Sequence, residues 1–421
     1  MVLLILHLLP FFVTSKQYKY NKEYDVMKKL ILLTILCFIS VSTLNAQTYL
    51  DSTINSSTKK IMFADQNFAI GSYGEAHYNH DIEDGTFQNG TMDLHRVILF
   101  MGYKFKKNLQ FFTEIEFEHV KEVYVEQAFM NYSINSAFNI KAGIILIPMG
   151  YVNEFHEPTL FNGVERPGFD KYIIPSTWSE MGLGFHGILK KANLKYQIYA
   201  VNGFKGYDGS AKLSGSNGLR GGRQKGSKAS FRTPSYTGKL TFYGLNGLRL
   251  GLSGYYGNTE STMYDGLDRT DPVSIQSADS SSVGIAMGAL NAHYNIKNLQ
   301  LTAVGSITSI SNTDQYNDFT GATLGSTIMG YYGEVAYKIA LKKNQTFPRL
   351  IPFVRYESYD THFGVEDNIS RNSAFNRQIL TAGAGLQLTP GTIIKTDLQW
   401  VATEANPRPT NVFNLGFGYW F

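Results

Sequence analysis

Runs of about ten residues, in which every second residue is apolar or aromatic, recur through the chain to its last position. In 328–340, Met329, Tyr331, Val335, Tyr337 and Ile339 share one face, and Glu334 and Lys338 share the other with small residues. In 392–402, Ile394, Leu398 and Trp400 alternate with Lys395, Asp397 and Gln399. In 109–120, Phe111, Ile115 and Phe117 alternate with Glu114, Glu116 and Glu118. A period of two belongs to an extended strand with unlike faces, and a helical turn of 3.6 residues does not produce it. After residue 46, no stretch approaches 18 consecutive apolar residues, so no apolar transmembrane helix is expected there.

Sixteen strands are expected, at roughly 68–80, 93–103, 109–120, 123–133, 138–146, 179–189, 194–202, 235–243, 248–256, 283–294, 299–310, 328–340, 350–358, 376–387, 392–402 and 411–421. Their connections alternate in length. Short turns rich in Asn, Gly, Lys or Pro fall at 104–108, 134–137, 190–193, 244–247, 295–298, 341–349 and 388–391. Longer polar connections stand between them, at 81–92, 147–178, 203–234, 257–282, 311–327, 359–375 and 403–410, the exception being the two-residue link 121–122. Long loops on one side and short turns on the other describe an all-β transmembrane antiparallel barrel, with external loops and periplasmic turns. A soluble sandwich or propeller also has many short strands, but it does not alternate its loops in this way.

Composition agrees with that reading. Tyr 27 and Phe 28 stand against 17% charged residues, and the 40 Gly follow no fixed period, which excludes collagen-like repeats and a disordered chain. Met27 opens a stretch with Lys28 and Lys29, an apolar run 30–41 and a small-residue site at Ala46, which reads as an export signal over 27–46. Residues 1–26 then precede a complete signal and are expected to be a misassigned upstream extension, with translation starting at Met27. Residues 47–67 are expected to be a periplasmic N-terminal segment, and 68–421 the barrel. Cys37, the single cysteine, lies inside the signal, so no disulfide or cysteine chemistry is expected after cleavage. Five of the 38 basic and two of the 34 acidic residues also lie in 1–46, which leaves the remainder near neutral and gives no reason to expect nucleic acid.

The chain ends NVFNLGFGYWF, with Leu415, Phe417, Tyr419 and Phe421 on one face. This ending resembles the C-terminal signal read by the barrel-assembly machinery of Gram-negative bacteria. Strand addition at a sheet edge suits such an alternating terminus. The stretches AIGSYGEAHYNH, DLHRVILFMGYKF, LQFFTEIEFEHV, VYVEQAFMNY, IKAGIILIPMGYVNEFHEPTLFNGVERPGF and YIIPSTWSEMGLGFHG resemble the porins of Bacteroidetes-type bacteria, related to the phosphate-selective porin O and P family. That resemblance spans about 71–204. It implies a sixteen-stranded outer-membrane channel, a homotrimer, with a long third loop folded into the lumen.

A barrel of this size leaves an aqueous channel, so function is sought on the lumen wall and in any loop that narrows it. Loop 147–178 is the candidate constriction, with Glu154, His156, Glu157, Glu165 and Arg166 between Pro148 and Pro175. Mixed charge there sets a transverse field that selects solutes; an ordinary solvated loop is the alternative. Glu114, Glu116, Glu118 and Glu126 are expected on the lumen side, because lipid-facing charge is costly, with Arg96 as their partner. Loop 203–234 carries Lys205, Lys212, Arg220, Arg223, Lys225, Lys228 and Arg232 among many glycines, and is expected to be flexible and basic. It is a candidate for gathering anions or for contact with lipopolysaccharide.

Phosphate-selective channels use rows of cations. Here the inward candidates Lys195, Arg249, Lys338, Arg355, Arg377 and Lys395 are interspersed with acids. The expected function is therefore passive diffusion of small hydrophilic solutes or ions, with phosphate and other anions as the narrower case and adhesion through the long loops as the alternative. No serine motif accompanies the strand histidines, so an enzyme is not expected, and neither is a metal or cofactor. Expected partners are outer-membrane lipid, lipopolysaccharide and the assembly machinery.

Overall fold

Alternating residues dictate strands with one wet and one greasy face, and a computed structural model places sixteen of them in a ring. It describes residues 67–82 and 87–421. The upstream extension 1–26, the signal 27–46 and nearly all of segment 47–67 lie outside the described residues. The first eight strands are β1 Phe68–Ile82, β2 Thr91–Lys106, β3 Leu109–Glu118, β4 Glu122–Asn135, β5 Phe138–Leu146, β6 Ser179–Leu189, β7 Leu194–Val201 and β8 Ser235–Leu245. The second eight are β9 Leu248–Asn258, β10 Gly284–Ile296, β11 Leu299–Ser311, β12 Thr327–Tyr337, β13 Arg349–Gly364, β14 Asn376–Thr389, β15 Thr392–Thr403 and β16 Thr410–Trp420. After one residue, β12 resumes at Ile339–Ala340, still paired with β13.

Each strand pairs antiparallel with the next, and β1 pairs with β16 from Tyr73↔Trp420 to Ile82↔Asn411, which closes the barrel. Phe421 adds the last rung, exchanging backbone hydrogen bonds with Ser72. Closure removes the two sheet edges that an open sheet would expose. All sixteen expected strands are present, and the short turns and long loops segregate to opposite ends. Among the described residues, no helix is long and apolar enough to cross a membrane.

The outer surface is an apolar belt. Leu183, Leu290, Ile307 and Val354 are more than half exposed, and Leu415, Phe417 and Phe421 continue that face. Aromatics mark its rims: Phe68, Tyr103, Phe105, Tyr132 and Tyr337 towards the turns, Tyr236, Tyr256 and Phe363 towards the loops. An apolar surface of this extent is the face that lipid covers in a membrane barrel. The inner face is polar, as Glu114, Glu116, Gln127, Asn131, Lys239, Arg355 and Asp397 show, all buried within the ring.

The long connections fold onto the barrel. Lys205–Tyr207 and Glu260–Ser261 pair in parallel. Short helices form at Phe169–Tyr172, Pro272–Ser280 and Thr313–Thr320. The second of these starts where it must: Asp271 accepts from the Val273 and Ser274 amides, and Pro272 takes the first turn, where its missing N–H costs nothing.

Candidate functional site

Loop 147–178 begins and ends at adjacent points on the wall, where the Ile147 amide donates to the Trp178 carbonyl over 2.9 Å. Asn153 secures this base. Its amide donates to the Ile147 and Trp178 carbonyls, and its Oδ1 accepts from the Trp178 amide. Trp178 is fully buried and stacks on Phe204. From this anchored base the chain strikes out across the lumen rather than outward.

Its side chains meet wall strands around the whole ring. Glu154 takes Lys239 of β8 at 2.5 Å, Gln197 of β7 at 2.6 Å and Lys195 of β7 at 3.9 Å. His156 Nδ1 donates to the Asn153 carbonyl, while Nε2 lies 2.8 Å from the Tyr73 hydroxyl of β1 and 3.3 Å from Glu126 of β4. Arg96 of β2 donates to the His156 carbonyl. Pro158 rests on Gly418 of β16, where a Cβ would lie 2.6 Å from the proline ring and force it away.

On the far wall, Asn162 donates to Glu334 of β12, and the Val164 amide donates to Asp397 of β15. Glu165 takes His77 of β1 at 2.9 Å and Asn79 at 3.0 Å, and Arg166 stands 3.9 Å from Glu75. Arg355 of β13 reaches the Asn162 and Glu165 carbonyls and pairs with Glu357 at 3.0 Å. Tyr172 stacks on Tyr359 of β13, with the Arg377 guanidinium 4.7 Å from its ring. Lys395 sits over Phe161. The loop is a strap across the barrel, held on both sides by charge-assisted hydrogen bonds.

The electrostatics of the strap follow from that geometry. Burial pulls the His156 imidazole down, but the adjacent Glu126 carboxylate outweighs it and raises the ring to about 9. Burial pushes the Glu154 carboxyl up, yet Lys239 and Lys195 hold it at about 2; His77 does the same for Glu165, also at about 2. Asp170 is the reverse, driven well upward by burial and then by Glu357. A group raised by folding, such as His156, lends its stabilisation below its ordinary value of 6.5 and loses it as pH climbs towards 9. The two depressed carboxylates hold above 4.5 and release only as pH falls towards 2. The strap is therefore expected to loosen on the alkaline side first. Trypsin cleavage at Lys171 of folded barrels, scaled to an unfolded substrate, should rise between about pH 6.5 and 9. In His156→Gln that rise should be absent, and an unchanged rise would remove His156 as its source.

Beneath the strap, on the turn side, lies a cavity of about 70 Å³. Tyr151, Glu154 and Phe155 form its roof, and Lys195, Lys239, Arg249 and Asn291 are in its wall.

No protein-family model matches the chain. An uncharacterized protein of Aquifex aeolicus (strain VF5) is 31% identical over 356 residues, which cover 80% of this chain and 76% of that one. The chain belongs to the family of that protein. Among solved structures, OmpF of Salmonella typhi in complex with daunomycin superimposes with a TM-score of 0.54 at 13% identity, over 84% of this chain and 97% of that one. The outer membrane channel DcaP of Acinetobacter baumannii gives the same TM-score, identity and coverage. At such identities the likeness is one of fold, the porin-like barrel of sixteen strands.

Placed in this barrel, the expected residues separate into groups. Glu154, His156, Glu165 and Arg166 come together with the wall as strap anchors, and Glu157 is buried among them. Arg96 differs from expectation. It pairs with Glu75 at 2.6 Å and only distantly with Glu116 at 4.0 Å, while Glu114 takes Gln127 and Glu126 takes His156. Glu118 sits at the loop-side rim. Lys338 and Arg249 are at the turn side, away from the strap's far anchors.

Loop 203–234 is packed rather than flexible. Arg223 donates to the Ser176 and Thr177 carbonyls, Arg220 donates to Ser176, and Leu213 and Leu219 are fully buried. Lys205 pairs with Asp208, Lys225 lies over Tyr124, and Arg232 lies over Tyr264. Of the expected basic cluster, Lys228 is exposed and Lys212 half-buried. Sequence reasoning missed Tyr73, Glu75, His77, Lys239 and Glu357, which meet the strap across sequence separations of 83 to 188. Their inward phase on alternating strands was the available signal.

Proposed function

We propose that this protein is an outer-membrane porin through which small hydrophilic solutes diffuse passively, with a preference for anions. One observation carries the preference. Within four residues of the turn-side strand ends stand Lys104, Lys106, Lys141, Lys195, Arg249, Arg349 and Lys395; among the described strand residues there Glu334 is the one carboxylate, and Glu154 of the strap comes within 3.9 Å of Lys195. A low-dielectric wall focuses that positive field into the passage and raises the local concentration of anions. In the loop-side half, Glu75 is engaged with Arg96, Glu357 with Arg355 and Glu126 with His156 of the strap. In this reading the turns face the periplasm, lipopolysaccharide and lipid surround the apolar belt, and the chain assembles as a trimer. Leu415, Phe417, Tyr419 and Phe421 then present the strand read during assembly.

Reversal potentials across planar bilayers under a potassium chloride gradient test the preference. Chloride is expected to be at least about threefold more permeant than potassium, and Lys195→Glu with Arg249→Glu to reverse the sign. Addition of phosphate should lower the chloride current if phosphate shares the path. A cation-preferring wild type would sink the anion reading while leaving a general porin.

A further inference from the structure

We propose that Asp93, His95 and His119 form a binding site for a divalent transition-metal ion, Zn²⁺ in the first place, at the loop-side rim of β1–β3. One donor atom from each of the three residues lies within 4.8 Å of the other two. The carboxylate oxygen is 3.4 Å from His95 Nδ1 and 2.6 Å from His119 Nδ1. Ligands around a tetrahedral Zn²⁺ at 2.0–2.1 Å stand about 3.3 Å apart, so small side-chain rotations bring all three onto one ion. Two imidazoles and a carboxylate are a donor set suited to Zn²⁺ and its neighbours, and they leave a coordination position for water or an external ligand.

Two local departures from regular sheet create this convergence. Along β2, Arg96, Ile98 and Phe100 are buried on the lumen face, and strict alternation would turn Asp93 and His95 to lipid. A bulge between the Glu75↔Arg96 and His77↔Asp93 pairs shifts the phase and turns both inward beside His77. At the tight β3–β4 link, His119 and Val120 take left-handed conformations, with φ of 51° and 63°. That backbone is uncommon for a residue other than glycine and most unusual for valine. It swings the His119 ring over Asp93 while the His119 amide donates to the His95 carbonyl.

The surroundings fit a ligand site. His77 stacks on His95 at 4.7 Å, and both of its nitrogens face carboxylates, Glu165 and Glu75, so it holds the ring plane rather than competing for the ion. Glu118 stands 3.9 Å from the other nitrogen of His119, an acceptor placed to orient a metal-bound imidazole. The ligands are reachable from outside, His119 being about half exposed. The buried trio Glu114, Glu126 and His156 has comparable spacing, but it is already engaged with Gln127, Tyr73 and the strap.

Calorimetric titration of Zn²⁺ into the untagged full-length protein, extracted and folded in detergent, tests the site. One Zn²⁺ per chain is expected. His95→Ala and His119→Ala should each weaken binding at least about tenfold in barrels that keep their folded, heat-modifiable migration, and His80→Ala should not. Asp93→Asn provides a further folded variant. Copper loaded in place of zinc should show coupling to two imidazole nitrogens by electron paramagnetic resonance. Absence of saturable Zn²⁺ binding in the wild type, or affinity unchanged in the folded variants, overturns the proposal.

Discussion

Replacing residues 151–174 with a short Gly–Ser link is expected to raise single-channel conductance at least about threefold, because sixteen strands enclose a lumen that water fills unless something occupies it. In the intact protein that occupant is the strap. Phe169, Ile173, Ile174 and Val164 are buried inside the ring, and the first three share an apolar cluster with Ile328, Tyr332 and Tyr359 of the wall. Removing the strap exchanges an internal partition for solvent without touching a strand-to-strand hydrogen bond. The wall charges it leaves, Lys239, Glu126, Arg355 and Asp397, regain water. Conductance unchanged by the deletion would mean that the limiting constriction lies elsewhere, at the packed loop 203–234 or at the turn-side mouth.

The second large effect is on stability. Arg96→Met is expected to destabilise the folded barrel by about 3–5 kcal/mol, the range for breaking a buried ion pair from one side. Arg96 is 1% exposed, donates to Glu75 at 2.6 Å, and its guanidinium lies 5.4 Å from the centre of the Tyr73 ring. It also donates to the His156 carbonyl. The substitution takes from buried Glu75 its closest cation and leaves it His77 at 3.5 Å and Arg166 at 3.9 Å. Urea unfolding in detergent measures the loss, and Arg96→Met combined with Glu75→Gln should recover part of it, because the orphaned charge is then removed. A loss below about 1 kcal/mol would mean that water screens this part of the lumen as it does a surface pair.

The barrel was legible because its signal is local and repeated. Each strand, such as Met329 to Ile339, carries its own alternation, and one residue's error in phase would place Glu334 and Lys338 in lipid. The strap was legible in part. The length and mixed charge of 147–178 marked it as a constriction, and in the structure Glu154, His156 and Glu165 bind the wall. Their partners were not legible, because Lys239, Tyr73 and Arg355 become neighbours of the strap only when the ring closes. Loop 203–234 misled for a physical reason: glycines and cations together read as a solvated chain. Here the glycines allow close approach, as at Gly218, whose φ is 57° and where a Cβ would lie 2.4 Å from the Tyr172 carbonyl. Its arginines spend their donors on the Ser176 carbonyl rather than on water. The inward turn of Asp93 and His95 was hidden by the bulge, which shifts the very phase that sequence reading relies on.

The central claim is that a strapped but open lumen crosses this barrel. The most direct measurement is the current through single molecules of the wild-type protein in planar lipid bilayers. Discrete, ohmic steps in potassium chloride are predicted, enlarged when the strap is removed. A correctly folded protein that inserts into the bilayer and passes no current would contradict the account, and the long loops would then be the place to look for its function.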